Sequence, residues 1–458
     1  MRFPNTRDLN DEQENVYLYA PAEGRMLVTG PPGTGKTVLA VLRALEVARN
    51  RQRPVVAMFN SVLQSFTASK VPDSAEGHWE NIRFTTVHRL FGQLCDALRV
   101  PPSQDDEWIV LDTPYKEKDE AKTLGAQWDP NSWYPGKRKK GCWRIGAEAY
   151  FRDPQAFSRW SPRSPRPSKA GNAATIDWQR YVRALNRHYN SVNWEAIDFD
   201  VLIIDEGQDF PPDFFRLIDL IAAGILGKGL TSLIILADEN QRITEQNSSI
   251  DEIRKILQIE PERQYTLTTN FRNTTEVAQV ARHFYAGMST GIPKLPQRRG
   301  PVPELRRCAD ERAVGARILR YLENNPRHEV GVICLGADRV RSGYFQELSR
   351  HLPPSSSIQT YSSVDEAHRD ARALGFDRPG ISVFNQASCK GLEFDAVFLV
   401  GIEGVAWQDH QEDFLKMKLY VMASRSRETL FLIWNGRESE TPAILRLMPP
   451  EPLVQIRS

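Results

Sequence analysis

Residues Gly30-Pro31-Pro32-Gly33-Thr34-Gly35-Lys36-Thr37 stand between two apolar runs, at 26–28 and 38–45. Glycines let the chain fold tightly over phosphates, so that backbone N–H groups and a helix N-terminus face the anion. Lys36 can then reach the β- and γ-phosphates, and the Thr37 hydroxyl can sit on Mg²⁺. The segment is a P-loop, and its chemistry is binding of a nucleoside triphosphate.

Two further segments could work on that ligand. Val201-Leu202-Ile203-Ile204 runs straight into Asp205-Glu206-Gly207-Gln208-Asp209. In a parallel sheet the carboxyl ends of strands lie beside the phosphate loop. Asp205 is therefore placed to hold Mg²⁺ directly or through water, and Glu206 to activate an attacking water. A second apolar run, 233–237, ends in Asp238-Glu239-Asn240-Gln241. The Gln241 amide could sense the γ-phosphate; a polar turn after a strand would read the same. Phosphoryl transfer also needs cationic donors around the moving group, often supplied across a domain boundary. Arg272 and Arg425 are the candidates, with a surface position as the alternative for each.

These groups need a sheet to hold them. Apolar strand candidates at 26–28, 55–59, 201–204 and 233–237 alternate with helical patterns at 37–50 and 210–225, which predicts a largely parallel sheet covered on both faces. A second α/β section starts near 266, with strand candidates at 329–334, 381–384, 396–400 and 429–433 and helical patterns at 274–286, 311–323 and 411–424. Between the parts of the first section, about 95–195, a Pro-, Trp- and Arg-rich stretch breaks the pattern and reads as an insertion. Within it, 161–173 reads as an exposed linker or loop.

Composition narrows the class. The 458 residues are 41% hydrophobic and 26% charged, ordinary for a soluble multi-domain chain. No run approaches the ~20 apolar residues of a membrane span, and the first residues lack an apolar signal core, so a cytoplasmic location without membrane contact is expected. Five widely spaced cysteines fit neither a zinc site nor a disulfide framework. The net charge of +1 does not announce a nucleic-acid binder, but residues 131–190 carry 13 Lys/Arg against 3 Asp/Glu. With Trp133, Trp143, Trp160 and Trp178 interspersed, that stretch could follow a phosphate backbone and offer rings to bases. A solvated basic loop with core tryptophans is the other reading.

In order and spacing these segments resemble superfamily 1 helicases of the UvrD/Rep/PcrA type, over roughly 1–95 and 196–440. Leu9-Asn10-Asp11-Glu12-Gln13 looks like the Q motif, whose glutamine reads adenine. Phe59-Asn60 and Thr85-Thr86-Val87-His88 look like the family's strand-contacting segments, which nominates Phe59, Asn60, Thr86 and His88 for nucleic acid. Asp205-Glu206-Gly207-Gln208 matches the DExQ box, and Gln241 falls on the next motif's glutamine. Asn270-Phe271-Arg272 resembles Asn-Tyr-Arg, implying Phe271 against adenine and Arg272 on the γ-phosphate. Lys390-Gly391-Leu392-Glu393-Phe394-Asp395 resembles the KGLEF segment, with Glu393 at the ribose. Tyr420 to Arg427 resembles the YVAxTRA segment, making Arg425 the second arginine finger. With Gly33, Gly35, Lys36, Thr37 and Gly391, these residues would hold ATP and Mg²⁺, the metal on Thr37 and Asp205.

The resemblance implies two RecA-like domains, 1–95 with 196–265 and 266–458, separated by an inserted 1B-type region at 96–195. It further implies an ATP-driven 3′→5′ translocase on single-stranded or tailed DNA, in repair, mobile-element biology or phage defence, with RNA as the alternative polymer. Three departures stand out. Where the family has an aromatic that stacks on a base, this chain reads Arg242-Ile243-Thr244-Glu245-Gln246. Ala387 replaces a histidine, and Val38 follows the P-loop threonine where arginine is common. Only 117 residues separate Arg272 from Lys390, too few for the family's large 2B-type insertion; the span 353–379 is all that could replace it.

Residues 108–145 resemble a small module of primase-like and mobile-element proteins. Trp108 to Leu111 predicts a strand, Tyr115 to Leu124 a helix, and Trp128, Trp133 and Trp143 a very small core. Lys137-Arg138-Lys139-Lys140 on its edge would face phosphate, a partner-docking or purely structural module being the alternative. Two functions follow: a DNA motor, or a nucleotide-controlled switch that recruits a partner such as a nuclease.

Overall fold

The structure is a computed structural model and describes residues 9–59, 61–69, 79–135, 137, 141–165, 176–225, 231–241, 247–287, 291–376, 379–405, 411–437 and 441–457. The chain opens with a helical turn, Asp11–Glu14, capped by Asn10. Strand β1 (Gly24–Thr29) follows, then the phosphate loop and helix α1 (Lys36–Arg49). Next come β2 (Pro54–Met58), α2 (Ser61–Ser69), β3 (Arg83–Thr86) and α3 (Val87–Leu98).

The insertion contributes β4 (Trp108–Leu111), α4 (Lys118–Thr123), β5 (Gln127–Asp129), β6 (Cys142–Gly146), α5 (Ala147–Arg152) and α6 (Trp178–Arg187). The first unit then resumes with β7 (Val201–Ile204), α7 (Pro212–Ile225), β8 (Ser232–Ala237), α8 (Ile250–Ile256) and β9 (Gln264–Thr266). Its six strands form one parallel sheet in the order β3-β2-β7-β8-β1-β9. Strands β2, β7 and β8 are buried at every residue, as strands covered on both faces must be.

The second unit starts with α9 (Thr275–His283), β10 (Glu304–Cys308), α10 (Glu311–Asn324), β11 (Glu329–Cys334), α11 (Asp338–His351) and β12 (Ile358–Thr360). It closes with β13 (Gly380–Asn385), β14 (Phe394–Val400), α12 (Glu412–Ala423), β15 (Ser426–Asn435) and β16 (Gln455–Arg457). Seven parallel strands run in the order β12-β13-β11-β14-β15-β10-β16. The architecture is two RecA-like α/β sheets with a small α+β module inserted in the first. No large domain interrupts the second unit among the described residues: within 353–376 the chain forms only edge strand β12 and two short 3-10 turns. Among the described residues no helix is long and apolar enough to cross a membrane.

One hydrophobic core is continuous between the two units. It joins Leu39, Met58 and Leu63 of the first to Leu392, Phe394, Leu419 and Leu432 of the second. Ser61 Oγ, 3.2 Å from the Tyr361 hydroxyl, adds a polar tie across the same seam.

The insertion agrees with its expected α+β character and departs from it in detail. Its sheet, β4-β6-β5, is antiparallel. Trp143 is buried, as expected for the module's small core, and Trp160 and Trp178 are buried too, which favours the core reading of these rings over base stacking. The module's core pairs Ile109, Leu111, Trp143 and Ile145 with Tyr150, Phe157 and Trp160, all beyond residue 145. Trp128 sits at the margin, 53% exposed, its ring edge against Trp143. The predicted helix at 115–124 divides into a 3-10 turn and α4. Residues 161–165 are not a free linker. Arg163 exchanges backbone hydrogen bonds with Val110, and buried Ser164 donates to Asp106 (2.6 Å) and Pro101 (2.8 Å). Residues 166–173, Arg138, Lys139, Lys140, Asn60 and 242–246 lie outside the described residues.

Candidate nucleotide site

The phosphate loop is shaped by two left-handed glycines, Gly33 (φ +83) and Gly35 (φ +89). A Cβ on Gly33 would lie 2.5 Å from Asn270 Oδ1, and one on Gly35 would lie 2.6 Å from Gln13 Nε2. Both positions thus demand glycine for conformation and for space. Lys36 begins α1 and is buried, with Nζ donating to the carbonyls of Gly30 and Pro31 and lying 3.7 Å from Asp238 Oδ2. Gln13 donates from Nε2 to Thr34 O (3.1 Å) and accepts from Asn10 N (3.2 Å).

Strand β7 delivers the acids. Thr37 Oγ1 donates to Asp205 Oδ2 at 2.7 Å, which brings the two hard-oxygen groups expected on Mg²⁺ together. Burial and the neighbouring Glu206 charge push the Asp205 carboxyl up to about 6. A buried carboxylate raised in this way is suited to a cation. Among the described residues no group of three His, Cys, Asp or Glu could hold a metal. Glu206 sits at φ +57, a strained conformation for a residue with a side chain. Burial works against its charge, but Lys390, Lys36 and the Gln208 amide hold its carboxyl below the ordinary value.

From Glu206 a chain of buried hydrogen bonds runs across the cleft. Gln208 Nε2 donates to Glu206 Oε2 (2.7 Å), and the Asp238 N–H donates to Gln208 Oε1 (2.8 Å). Gln241 Nε2 donates to Asp238 Oδ2 (2.6 Å), while its Oε1 accepts from Arg425 Nη2 (2.7 Å). Arg425 stands at the end of α12 in the second unit, fully enclosed. Burial, then the nearby Arg272 charge, lowers it to about 10. Lys390 crosses the same seam, with Nζ donating to both oxygens of Asp209 (2.6 and 2.7 Å) and to Gln241 O (2.5 Å).

Arg272 donates to Glu393 Oε2 (2.9 Å). Burial alone would raise the Glu393 carboxyl, but this guanidinium keeps it well below the usual carboxylate range. Phe271 is 51% exposed and its N–H donates to Gly33 O (2.9 Å). A cavity of about 430 Å³ collects Gln13, Gly33, Gly35, Lys36, Thr37 and Glu206 from one side. Gln241, Phe271, Arg272, Gly391, Glu393 and Arg425 also line it. Asp205 stands behind Thr37. Sequence reasoning missed Arg298, Asp395 and Glu428 on the same wall. Arg298 comes from a loop with no pattern to mark it, whereas the charge-rich run Arg425-Ser426-Arg427-Glu428 was a signal.

A family model for the AAA domain matches residues 13–247. The chain belongs to the AAA-domain family. Its AAA domain thus spans the phosphate loop, the strand-end acids and the insertion. Comparison with curated proteins found no match. Among solved structures, one similar chain is described as the C-terminal domain of a possible DNA helicase from Lactobacillus plantarum WCFS1. It is 18% identical over 41% of this chain and 99% of its own length, with a TM-score of 0.30.

The residues nominated for nucleic acid are more scattered. Phe59 and Thr86 lie at the carboxyl edge of the neighbouring strands β2 and β3, where Met58 pairs with Thr86. The Phe59 ring, however, packs edge-on against Phe210 (5.6 Å). Thr86 caps α3 through Arg89 N (3.3 Å), and His88 lies beside Trp178 (6.5 Å). Lys137 is on the distant module, exposed and paired with Asp112.

Proposed function

We propose that the chain is an ATP- and Mg²⁺-dependent motor on single-stranded DNA, a compact relative of UvrD-type 3′→5′ translocases. The observation that carries the reading is the unbroken path Glu206–Gln208–Asp238–Gln241–Arg425. It joins the group suited to activate water to a cation on the other unit, so changes at the γ-phosphate reach both sheets.

In this reading Lys36 leaves the Gly30 and Pro31 carbonyls for the phosphates. Arg272 and Arg425 answer the charge that develops on the transferred group. Glu206, kept ionised, takes the proton of the attacking water. Phe271 and Gln13 hold the base, and Glu393 the ribose. Thr37 and Asp205 would hold Mg²⁺, which supplies charge neutralisation at the phosphates when bound. The edge bearing Phe59, Thr86 and His88 contacts the strand.

ATP hydrolysis with and without single-stranded DNA and RNA, beside strand displacement on 3′- and 5′-tailed duplexes, tests the proposal. Stimulation by DNA with preference for a 3′ tail supports it, and a rate indifferent to either polymer refutes it. One observation favours the switch reading: between Arg272 and Lys390 the described chain is used up by the second sheet and its helices. Hydrolysis with nucleotide-dependent partner capture and no strand displacement would select it.

A further inference from the structure

A second cavity, about 360 Å³, opens on the second sheet beside α10. Alternate residues of a strand face opposite ways, and here the alternation separates two surfaces. Val397, Leu399, Leu430 and Leu432 point into the core shared with the first unit, whereas Phe398 and Phe431 point to the side covered by α10 and α11. The cavity therefore lies on the face turned away from the nucleotide cleft.

Its floor is aromatic. Phe398 and Phe431 stack at 4.4 Å and 16°, and Tyr321 meets both rings edge-on at 5.6 Å. Its rim is cationic, made by Arg306, Arg317 and Arg320, and no carboxylate lines it. Arg306 and Arg317 share one acid behind the wall, Glu304, at 3.2 and 2.5 Å. The Arg317 guanidinium lies 5.2 Å over the Phe431 ring, and its Nε is buried with no hydrogen-bond partner. Arg320 is exposed on α10 and forms no ion pair among the described residues. Two of the three guanidiniums thus share one ion-pairing carboxylate, while Asp310, Glu428 and Asp395 act from farther off on Cys308 and Tyr321, around an apolar hollow the size of a ligand pocket.

Two ligand chemistries meet such a rim. A nucleic-acid strand wants ring faces for successive bases along an open groove. Phe398 and Phe431 are buried at 0% and 6%, so their faces are closed to bases and form the backing of the hollow, leaving the half-buried Tyr321 as its accessible ring. A peptide needs a hollow for one large apolar side chain and planar cations for its carboxylates, which guanidinium forks match. We propose that this cavity docks an acidic segment of a partner protein, one large apolar side chain seated at Tyr321 and neighbouring carboxylates on Arg306, Arg317 and Arg320. The site is independent of the nucleotide chemistry.

The test is selection of random dodecapeptides on the immobilised full chain, followed by fluorescence anisotropy of the enriched peptide. The expected consensus is two or more Asp/Glu beside one aromatic or large aliphatic residue. Arg320→Glu reverses a rim charge and Ala316→Trp fills the hollow from an exposed helix position. Each should weaken that peptide at least roughly tenfold, as expected for losing a desolvated charge pair or an anchor pocket, with the ATP hydrolysis rate unchanged. No acidic consensus, or a consensus peptide indifferent to both variants, overturns the proposal. So does a fluorescein-labelled single-stranded oligonucleotide that loses affinity in the same two variants, because the groove would then belong to the strand path.

Discussion

Gln241→Ala removes the centre of the path across the cleft and leaves every other group in place. Two side-chain hydrogen bonds disappear, one to Asp238 (2.6 Å) and one from Arg425 (2.7 Å). Only the second joins the two units, since the Lys390 contact is to the Gln241 backbone and survives. Arg425 keeps Val421 O and Leu392 O, so it is weakened and not stranded. A buried hydrogen bond to a charged group is worth about 1.5–3 kcal/mol. Closure with Arg425 correctly placed should therefore become roughly 10- to 150-fold less favourable, at about 1.4 kcal/mol per decade. Steady-state ATP hydrolysis with saturating single-stranded DNA should fall by a similar factor. Binding of a fluorescent ATP analogue should change only a few-fold, because Lys36 and the phosphate loop are untouched. A variant that hydrolyses ATP at the parental rate, or loses binding as completely as hydrolysis, would refute the assigned path.

The remaining predictions divide between site and scaffold. Lys36→Ala should abolish both binding and hydrolysis, whereas Glu206→Gln should abolish hydrolysis and retain ATP, as equilibrium binding beside single-turnover assays will show. Gly33→Ala places a Cβ 2.5 Å from Asn270 Oδ1 in a left-handed conformation; at about 1–2 kcal/mol for conformation alone, ATP affinity in a titration should drop by roughly tenfold or more. Asp106→Ala removes its ion pair with Arg180 and its hydrogen bond from Ser164 (3.3 and 2.6 Å). It should destabilise the seat of the insertion by about 2–3 kcal/mol in denaturant unfolding. Asp209→Ala removes the enclosed ion pair with Lys390 and should cost about 3–5 kcal/mol; Asp209→Leu with Lys390→Met should recover much of that stability, read by thermal melting, without recovering the ATPase rate.

Much of the nucleotide half was legible because its strands are apolar runs that stop abruptly at polar residues. Strand β7 falls on 201–204 as its apolar run predicts, with Asp205 at its end, since a strand buried on both faces leaves no room for another pattern. Edge strands were not legible. Strands β9, β12 and β16 are three residues long, and β9 and β16 include no buried residue; they exist because a neighbour offers hydrogen bonds, which local sequence does not record. The tryptophans left two readings open for a related reason. A ring flanked by arginines reads alike whether it stacks on a base or fills a core. Trp160 goes inward because Ile109, Ile145 and Tyr150 wait for it across the module.

The seam between the two units explains why so many charges are tolerated in its depth. Asp209 and Lys390 are both wholly enclosed, and burying such a pair costs desolvation that hydrophobic packing would avoid. Lys390 Nζ, however, makes three short hydrogen bonds, two to Asp209 and one to the Gln241 carbonyl. Those bonds can form in only one register of one sheet against the other. That register is also the one in which Arg425 reaches the Gln241 side chain and Arg272 reaches Glu393. Apolar packing around Leu63, Leu392 and Leu419 draws the units together but is non-directional and sets no register by itself. The buried polar set selects the arrangement in which Lys36, Glu206, Arg272 and Arg425 face a single cavity. The stability given up at the seam thus fixes the geometry on which the proposed hydrolysis across the cleft depends.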